Sequence, residues 1–318
     1  MESPRYTIWD LGDERVLAVD GKEYRTHYSE RVIRMLIERK GLGRAPLYFP
    51  FKVTRGGHFL DRLFAALAAR RLTDLAVLEV GCSFGHITEY LDDQPLVGGI
   101  WTFDSDAAFV EMTRAKVEDL RLSKVREVRY LVNEETRRLP YVDGAFDLVI
   151  VLGVIEHLPL ENRHRYVDEY YRVLKAGGWI GIFDTPNRWF PLETHSVGLP
   201  LIQWLPPRAA LAYGKVFRPG RLRGVTPAEF TAPGTGWRNA SLSDCLPTSG
   251  RGGLEDLTEE IGYGYRFFRD TARSWKRRLS LPAFAFVCQV AWRLGISPSL
   301  FLPYFNLVLR KVGELPEK

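Results

Sequence analysis

The residues best able to do chemistry in this chain stand where apolar runs end. Glu79-Val80-Gly81-Cys82-Ser83-Phe84-Gly85 follows the apolar pair Val77-Leu78 and precedes Ile87, Tyr90 and Leu91 at helical spacing. Two glycines bracketing Cys82-Ser83-Phe84 let the backbone turn tightly and approach a ligand that a Cβ would hold away. Asp104 ends a second run, Gly99-Ile100-Trp101-Thr102-Phe103, about twenty residues past the glycine turn. A carboxylate at that place can accept hydrogen bonds from both hydroxyls of a ribose, because adjacent parallel strands put their carboxyl ends side by side. Asp106 competes for the role, and the plain alternative is an acid that caps the next helix. His157 lies just beyond the run Asp147-Leu148-Val149-Ile150-Val151-Leu152. Its near-neutral pKa suits taking a proton from an attacking hydroxyl; the plain alternative is a ring that only shapes the cleft. Further on, Thr185-Pro186-Asn187-Arg188-Trp189-Phe190-Pro191-Leu192-Glu193-Thr194-His195 offers Asn187 and Arg188 to orient polar atoms, Trp189 and Phe190 to stack, and Glu193 and His195 to exchange protons.

These groups need a scaffold that brings strand ends together. Short buried runs alternate with amphipathic helical segments, which predicts an α/β, doubly wound, mostly parallel sheet with its ligand outside the carboxyl ends of the strands. The runs at 77–80, 99–103, 128–132, 146–152 and 179–184 supply five strands. Residues 1–57 form an N-terminal helical extension, with Val32, Ile33, Leu36 and Ile37 on one face of a helix over Tyr28–Lys40 and an aromatic loop at Leu47–Phe51. Phe59–Arg71 reads as the helix leading into the sheet, and Arg163–Leu174 as a covering helix ended by Ala176-Gly177-Gly178. Residues 58–190 make the α/β core. The remainder, 191–318, inserts loops and short helices before a helix and an antiparallel last strand, Phe305–Leu309, at the sheet edge. Within it, Thr226-Pro227 reads as an N-cap followed by proline at the first helical position.

Composition narrows the classes. With 318 residues, 46% of them hydrophobic, the chain can bury a large core. A net charge of +5 is spread along it, and the basic clusters Arg137-Arg138 and Lys276-Arg277-Arg278 are short, which argues against nucleic acid as a partner. Cys82, Cys245 and Cys288 are odd in number and far apart, which suits a reducing, cytoplasmic setting, and the first residues lack the pattern of a secretory signal. The apolar stretch Leu281–Leu309 is broken by Arg293, Gly295, Pro298 and Pro303, so it does not span a membrane. With its basic flank it could instead lie on one as a peripheral contact.

The glycine turn is wrong for a nicotinamide dinucleotide, which asks for G-x-G-x-x-G. It resembles the first motif, E/D-x-G-x-G-x-G, of the class I S-adenosylmethionine-dependent methyltransferases, with Ser83 where the middle glycine usually stands. The step Leu139-Pro140-Tyr141, the turn and strand Asp143–Leu152, and Gly153-Val154-Ile155-Glu156-His157-Leu158-Pro159 are similar to the ubiquinone-type and related small-molecule O-methyltransferases. The resemblance covers about the middle third of the chain. It implies S-adenosylmethionine as cofactor, contacted at Glu79, Gly81, Cys82, Ser83, Phe84, Gly85, Asp104 and Ser105. It places an adenine contact at Glu135 and Thr136, with Asn133 as an alternative register, and further contacts at Leu152 and Gly153.

Some ubiquinone-type members hold a divalent metal on an E-x-x-E-H run. Gly153 replaces its first acid here, so no metal is expected. The reaction expected is methyl transfer to a hydroxyl of a small molecule, a phenol or quinone precursor, a natural product or a glycan, with His157, His195 and Glu193 as the candidate catalytic residues. Phe84 or Trp189 could favour the sulfonium by cation–π attraction. Two rival readings are a nicotinamide oxidoreductase, which the loop spacing opposes, and a subunit that keeps the cofactor cleft without chemistry. Convergence of His157, Glu193 and His195 on one cavity separates the latter from an enzyme.

Overall fold

The computed structural model describes residues 6–132, 134–232, 234–249, 253–272 and 275–313, and the side chains at 275–277 lie outside it. The alternative adenine contact Asn133 therefore falls outside the described residues. The chain forms two compact units, residues 1–133 and 134–318. The first carries three parallel strands and the second four strands, the α/β class read from the sequence.

The first unit opens with a three-stranded antiparallel sheet, β1 (Tyr6–Asp10), β2 (Arg15–Val19) and β3 (Lys22–Thr26). The N-terminal extension is therefore helical only from residue 30 onward. The two-residue turn Asp20-Gly21 has positive φ at both positions, 48° and 75°, the backbone that joins tightly twisted hairpin strands and that Asp-Gly favours. Helix α1 (Glu30–Lys40) starts where Ser29 Oγ accepts from the Val32 amide and buries Val32, Ile33 and Leu36. Those side chains share one core with Leu17, Phe84 and Met112, so the N-terminal elements pack on the glycine turn. Next come α2 (His58–Ala69), β4 (Leu75–Val80), α3 (His86–Asp92), β5 (Val97–Asp104), α4 (Ala107–Asp119) and β6 (Val125–Tyr130), with β5 parallel to both β4 and β6.

Beneath α3, the buried Glu89 carboxylate accepts from His27 Nε2 at 2.6 Å, Tyr28 Oη at 3.1 Å and Lys116 Nζ at 3.3 Å. Burial alone would raise its pKa, but the His27 hydrogen bond and the charges of Lys116 and Lys52 outweigh it and hold the group at about 2. The same burial takes the Lys116 ammonium down to about 8 against the pull of Glu89. A buried carboxylate is tolerated because it is fully hydrogen-bonded and paired.

The second unit contains β7 (Phe146–Leu152), α5 (Arg163–Arg172) and β8 (Leu174–Pro186), with β7 and β8 parallel. Helix α5 ends at Arg172 and the next strand starts two residues on, so Ala176-Gly177-Gly178 lies inside β8 and does not terminate the helix. An insertion of short helices follows: α6 (Pro207–Phe217), α7 (Pro219–Leu222) and α8 (Pro227–Thr231), the last opened by a capping box between Thr226 and Glu229. Then come β9 (Leu254–Asp256), α9 (Thr258–Ile261), α10 (Tyr265–Asp270), α11 (Trp275–Arg293) and β10 (Tyr304–Lys311). Strand β10 runs antiparallel to β8, as read from the sequence, but β9 pairs on its other side. The last strand is thus one place in from the sheet edge.

Candidate functional site

In the first unit the glycine turn is built from left-handed backbone. Gly81, Ser83 and Gly85 take φ of 80°, 47° and 68°. The two glycines adopt this freely, whereas Ser83 bears a cost on the order of 1–2 kcal/mol for its Cβ. A Cβ on Gly85 would fall 3.1 Å from Thr113 Oγ1 and 3.3 Å from the Thr113 Cα, so that glycine is also demanded by packing. The Gly81 and Cys82 amides donate to Phe103 O at 3.0 Å each, and the Ser83 amide donates to Asp104 Oδ2 at 2.9 Å. The turn and Asp104 therefore form one cradle.

Asp106, not Asp104, caps the following helix, its Oδ1 accepting from the Ala108 amide at 3.0 Å. Asp104 is left with lone pairs to offer a ligand, and burial raises its pKa against the pull of the Ser83 and Asp106 amides. Ser105 is exposed beside it. Glu79 is buried, receives Thr88 Oγ1 on Oε2 at 2.6 Å, and has no hydrogen-bond partner on Oε1. Burial pushes its carboxyl up to about 8, Thr88 and Thr102 opposing.

An orphaned carboxyl oxygen and a strand-end acid beside a left-handed glycine turn fit an adenosyl cofactor with an amino-acid tail. One expectation for this turn changes. The Phe84 ring is buried against Tyr48 and Phe109, with Lys40 Nζ 4.7 Å from its centre, so its cation is a lysine and not a sulfonium. The Cys82 thiol is buried and held well above its ordinary pKa by that burial, with Asp104 and Glu79 adding to it, so it takes no part as a thiolate.

In the second unit, Glu135 is exposed and Thr136 buried in a short helical turn. Leu152 ends β7, and Gly153 follows at φ 65° with its amide on Phe183 O. The turn Ile155–His157 comes next. His157 Nδ1 lies 2.7 Å from Gly234 O. A carbonyl only accepts, so Nδ1 carries the proton and Nε2 presents its lone pair. Burial lowers the His157 pKa, which keeps the ring neutral, and Nε2 stands 3.8 Å from the buried Glu156 carboxylate.

His195 joins this pair, its ring centre 5.2 Å from that of His157. Gly236, at φ 67°, makes room for both. A Cβ there would sit 2.9 Å from His195 Cδ2 and 3.2 Å from His157 Cε1. Two of the three proposed catalytic residues thus meet.

Glu193 does not join them. It is fully buried, and its two oxygens accept from the amides of His195, Ser196, Val197 and Gly198 at 2.6, 2.7, 2.7 and 2.8 Å. A carboxylate with four amide donors organises the loop that carries His195, so the proton-exchange role expected of it is withdrawn. Trp189 is exposed with Arg188 beside its ring, and Asn187 spends its side-chain amide on Leu300 O and Leu302 O.

Three neighbours were not foreseen. Arg163 is buried and donates to Asn239 O, Glu156 O and Leu158 O, tying the Glu156–His157 turn to the loop at 239. Gly236 spaces the imidazoles. Trp237 is buried, with no partner on Nε1, and lines a cavity of about 470 Å³ together with Glu156, Arg163 and Arg238. No linear motif marks any of the three. Glu156, His157 and His195 also present one ligand atom each within 4.8 Å of one another. Two imidazoles and a carboxylate are a donor set a divalent metal accepts. The expectation of no metal rested on Gly153 in the linear motif, and in space His195 supplies a third donor.

Residues 78–182 match the family model described as a methyltransferase domain. Over 105 residues the chain is 30% identical to an uncharacterized protein of Haemophilus influenzae, an overlap of 33% of this chain and 40% of that one. It thus spans less than half the length of the curated relative it matches. Among solved structures it is similar to a SAM-dependent methyltransferase from Aquifex aeolicus, at 20% identity and TM-score 0.37 over 53% of this chain and 84% of that one. A methyltransferase from Clostridium acetobutylicum gives 17% and 0.37 over 46% and 57%, and the [4+2]-cyclase SpnF 17% and 0.41 over 79% and 80%. The segment 78–182 is similar to methyltransferase domains, and the cofactor that such a domain implies is S-adenosylmethionine.

Proposed function

We propose that this chain moves a methyl group from S-adenosylmethionine to a hydroxyl of a small molecule, with His157 as the group that takes the hydroxyl proton. The bound cofactor supplies a methyl activated on positive sulfur and open to direct displacement by oxygen. The chain's own task is alignment, for which well-oriented groups supply on the order of 7–11 kcal/mol. Glu79 and Asp104 would hold the amino-acid and ribose ends of the cofactor.

One observation carries the assignment of the base: His157 Nδ1–H is fixed on Gly234 O, which leaves a neutral ring with Nε2 next to the Glu156 carboxylate. That carboxylate would stabilise the imidazolium formed when the proton arrives. The cavity of about 470 Å³ beside Glu156 is our candidate for the acceptor pocket. It is in the size range of small-molecule sites, and the unpartnered Trp237 N–H is a donor for an acceptor oxygen. Phenols, quinone precursors, natural products and sugars are the classes it suits.

The test is incubation of the protein with methyl-labelled cofactor against panels of those acceptors. His157→Gln should keep cofactor affinity and lower turnover by a factor on the order of 10²–10⁴. Retention of the parent rate would remove His157 as base. Loss of turnover on chelation, restored by zinc, would reassign the imidazoles as metal ligands.

A further inference from the structure

Helix α11 is apolar on two faces, only one of which is covered by described residues. Leu281, Phe284, Cys288 and Ala291 recur every three or four residues and face inward, Cys288 sharing a small core with Phe268 and Leu302. Almost opposite run Leu279, Ala283, Phe286, Val287, Val290 and Leu294, at the same spacing and exposed. Leu279, Phe286 and Leu294 are 72%, 69% and 68% exposed. An amphipathic helix of a globular protein normally turns polar residues outward, and a contiguous exposed apolar stripe marks an interaction surface.

Charge selects the partner. From Thr271 to Leu302 the sequence contains no Asp or Glu and five cations, four of them within Arg273–Arg278. Arg278 and Arg293 stand exposed near the two ends of the helix. A second copy meeting this face would set like charges against one another, whereas an anionic lipid surface complements them. No described helix is long and apolar enough to cross a membrane, which leaves the in-plane mode, apolar side chains dipped below the headgroups and cations among them. We propose that α11 docks the protein on anionic lipid bilayers through the Leu279–Leu294 stripe.

The test is flotation of the full-length protein with vesicles of phosphatidylcholine, alone or mixed with phosphatidylglycerol. Binding should appear with the anionic vesicles, weaken in high salt, and fall about tenfold or more for Phe286→Glu or Leu279→Glu, each the loss of an apolar anchor. Arg278→Gln and Arg293→Gln should each weaken it about fivefold, from ~1 kcal/mol per cation at such a surface. These positions are exposed, and unchanged circular dichroism of each variant is expected. Absence of flotation with anionic vesicles, or glutamate variants that float like the parent, would overturn the proposal. So would light scattering that shows a parent dimer split by Phe286→Glu with no vesicle binding.

Discussion

Glu193→Gln separates an organiser of the loop from a proton donor. The carboxylate takes the His195 and Ser196 amides on Oε1 and the Val197 and Gly198 amides on Oε2. Glutamine keeps one oxygen and turns an NH₂ toward the other two donors, which removes two charge-assisted hydrogen bonds and leaves two buried N–H groups unmet. At about 1.5–3 kcal/mol for a bond to a charged group, the closed loop loses ~3–6 kcal/mol. The loss seen in global unfolding is capped by the free energy of opening the loop, since the folded protein can escape the mismatch by releasing residues 194–198. Hydrogen exchange is therefore the decisive assay. The amides of His195 to Gly198 should lose most of their protection, a urea titration should shift by less than the full amount, and cofactor affinity should stay at the parent value. Full protection of these four amides together with a stability loss under about 1 kcal/mol would refute the reasoning.

Other substitutions probe the cradle and the interior. Ser83→Gly should stabilise the protein by about 0.5 kcal/mol, the relief of a left-handed Cβ less the greater chain entropy of glycine, whereas Gly85→Ala should destabilise it by at least ~1–2 kcal/mol because strain and the Thr113 contact add; urea midpoints read both. His86 is buried, with Nδ1 unpartnered, and burial with the charges of Lys116 and Arg55 holds its pKa well below the ordinary value. The unfolded chain then binds the extra proton first, so its contribution is fully present above pH ~6.5 and is lost as pH falls, at about 1.4 kcal/mol per unit. His86→Gln should lower the slope of stability against pH between about pH 6.5 and 5, where the raised Glu79 carboxyl contributes with the opposite sign and Glu89 has not begun to protonate; an unchanged slope would contradict it.

How much was legible in the sequence follows from the range of the interactions involved. The glycine turn, its strand and Asp104 were readable because strand composition, glycine spacing and the distance to the next strand are local signals that agree. Asp104 and Asp106 could not be told apart until the amide of Ala108 was seen to choose Asp106. The meander at residues 6–26 did carry a signal, Asp20-Gly21 after the apolar run Val16–Val19, which the strong helical period of Val32 to Leu36 overshadowed. Glu193 was misread because its four partners are backbone amides, and amides have no sequence signature. Arg163, Gly236 and Trp237 were missed for a related reason: each meets the Glu156–His157 turn or ties it to the loop at 239 through contacts that join segments distant in sequence.

The account rests on the crevice of Gly81, Ser83, Gly85, Glu79 and Asp104 being a seat for S-adenosylmethionine. Titration calorimetry of the full-length protein with the cofactor, and with its demethylated product, measures that directly. Saturable heat with one site per chain, lost about tenfold or more in Asp104→Ala through two ribose hydrogen bonds, is the result predicted. A folded protein that gives no heat with either ligand, or an Asp104→Ala variant that binds as tightly as the parent, would contradict it.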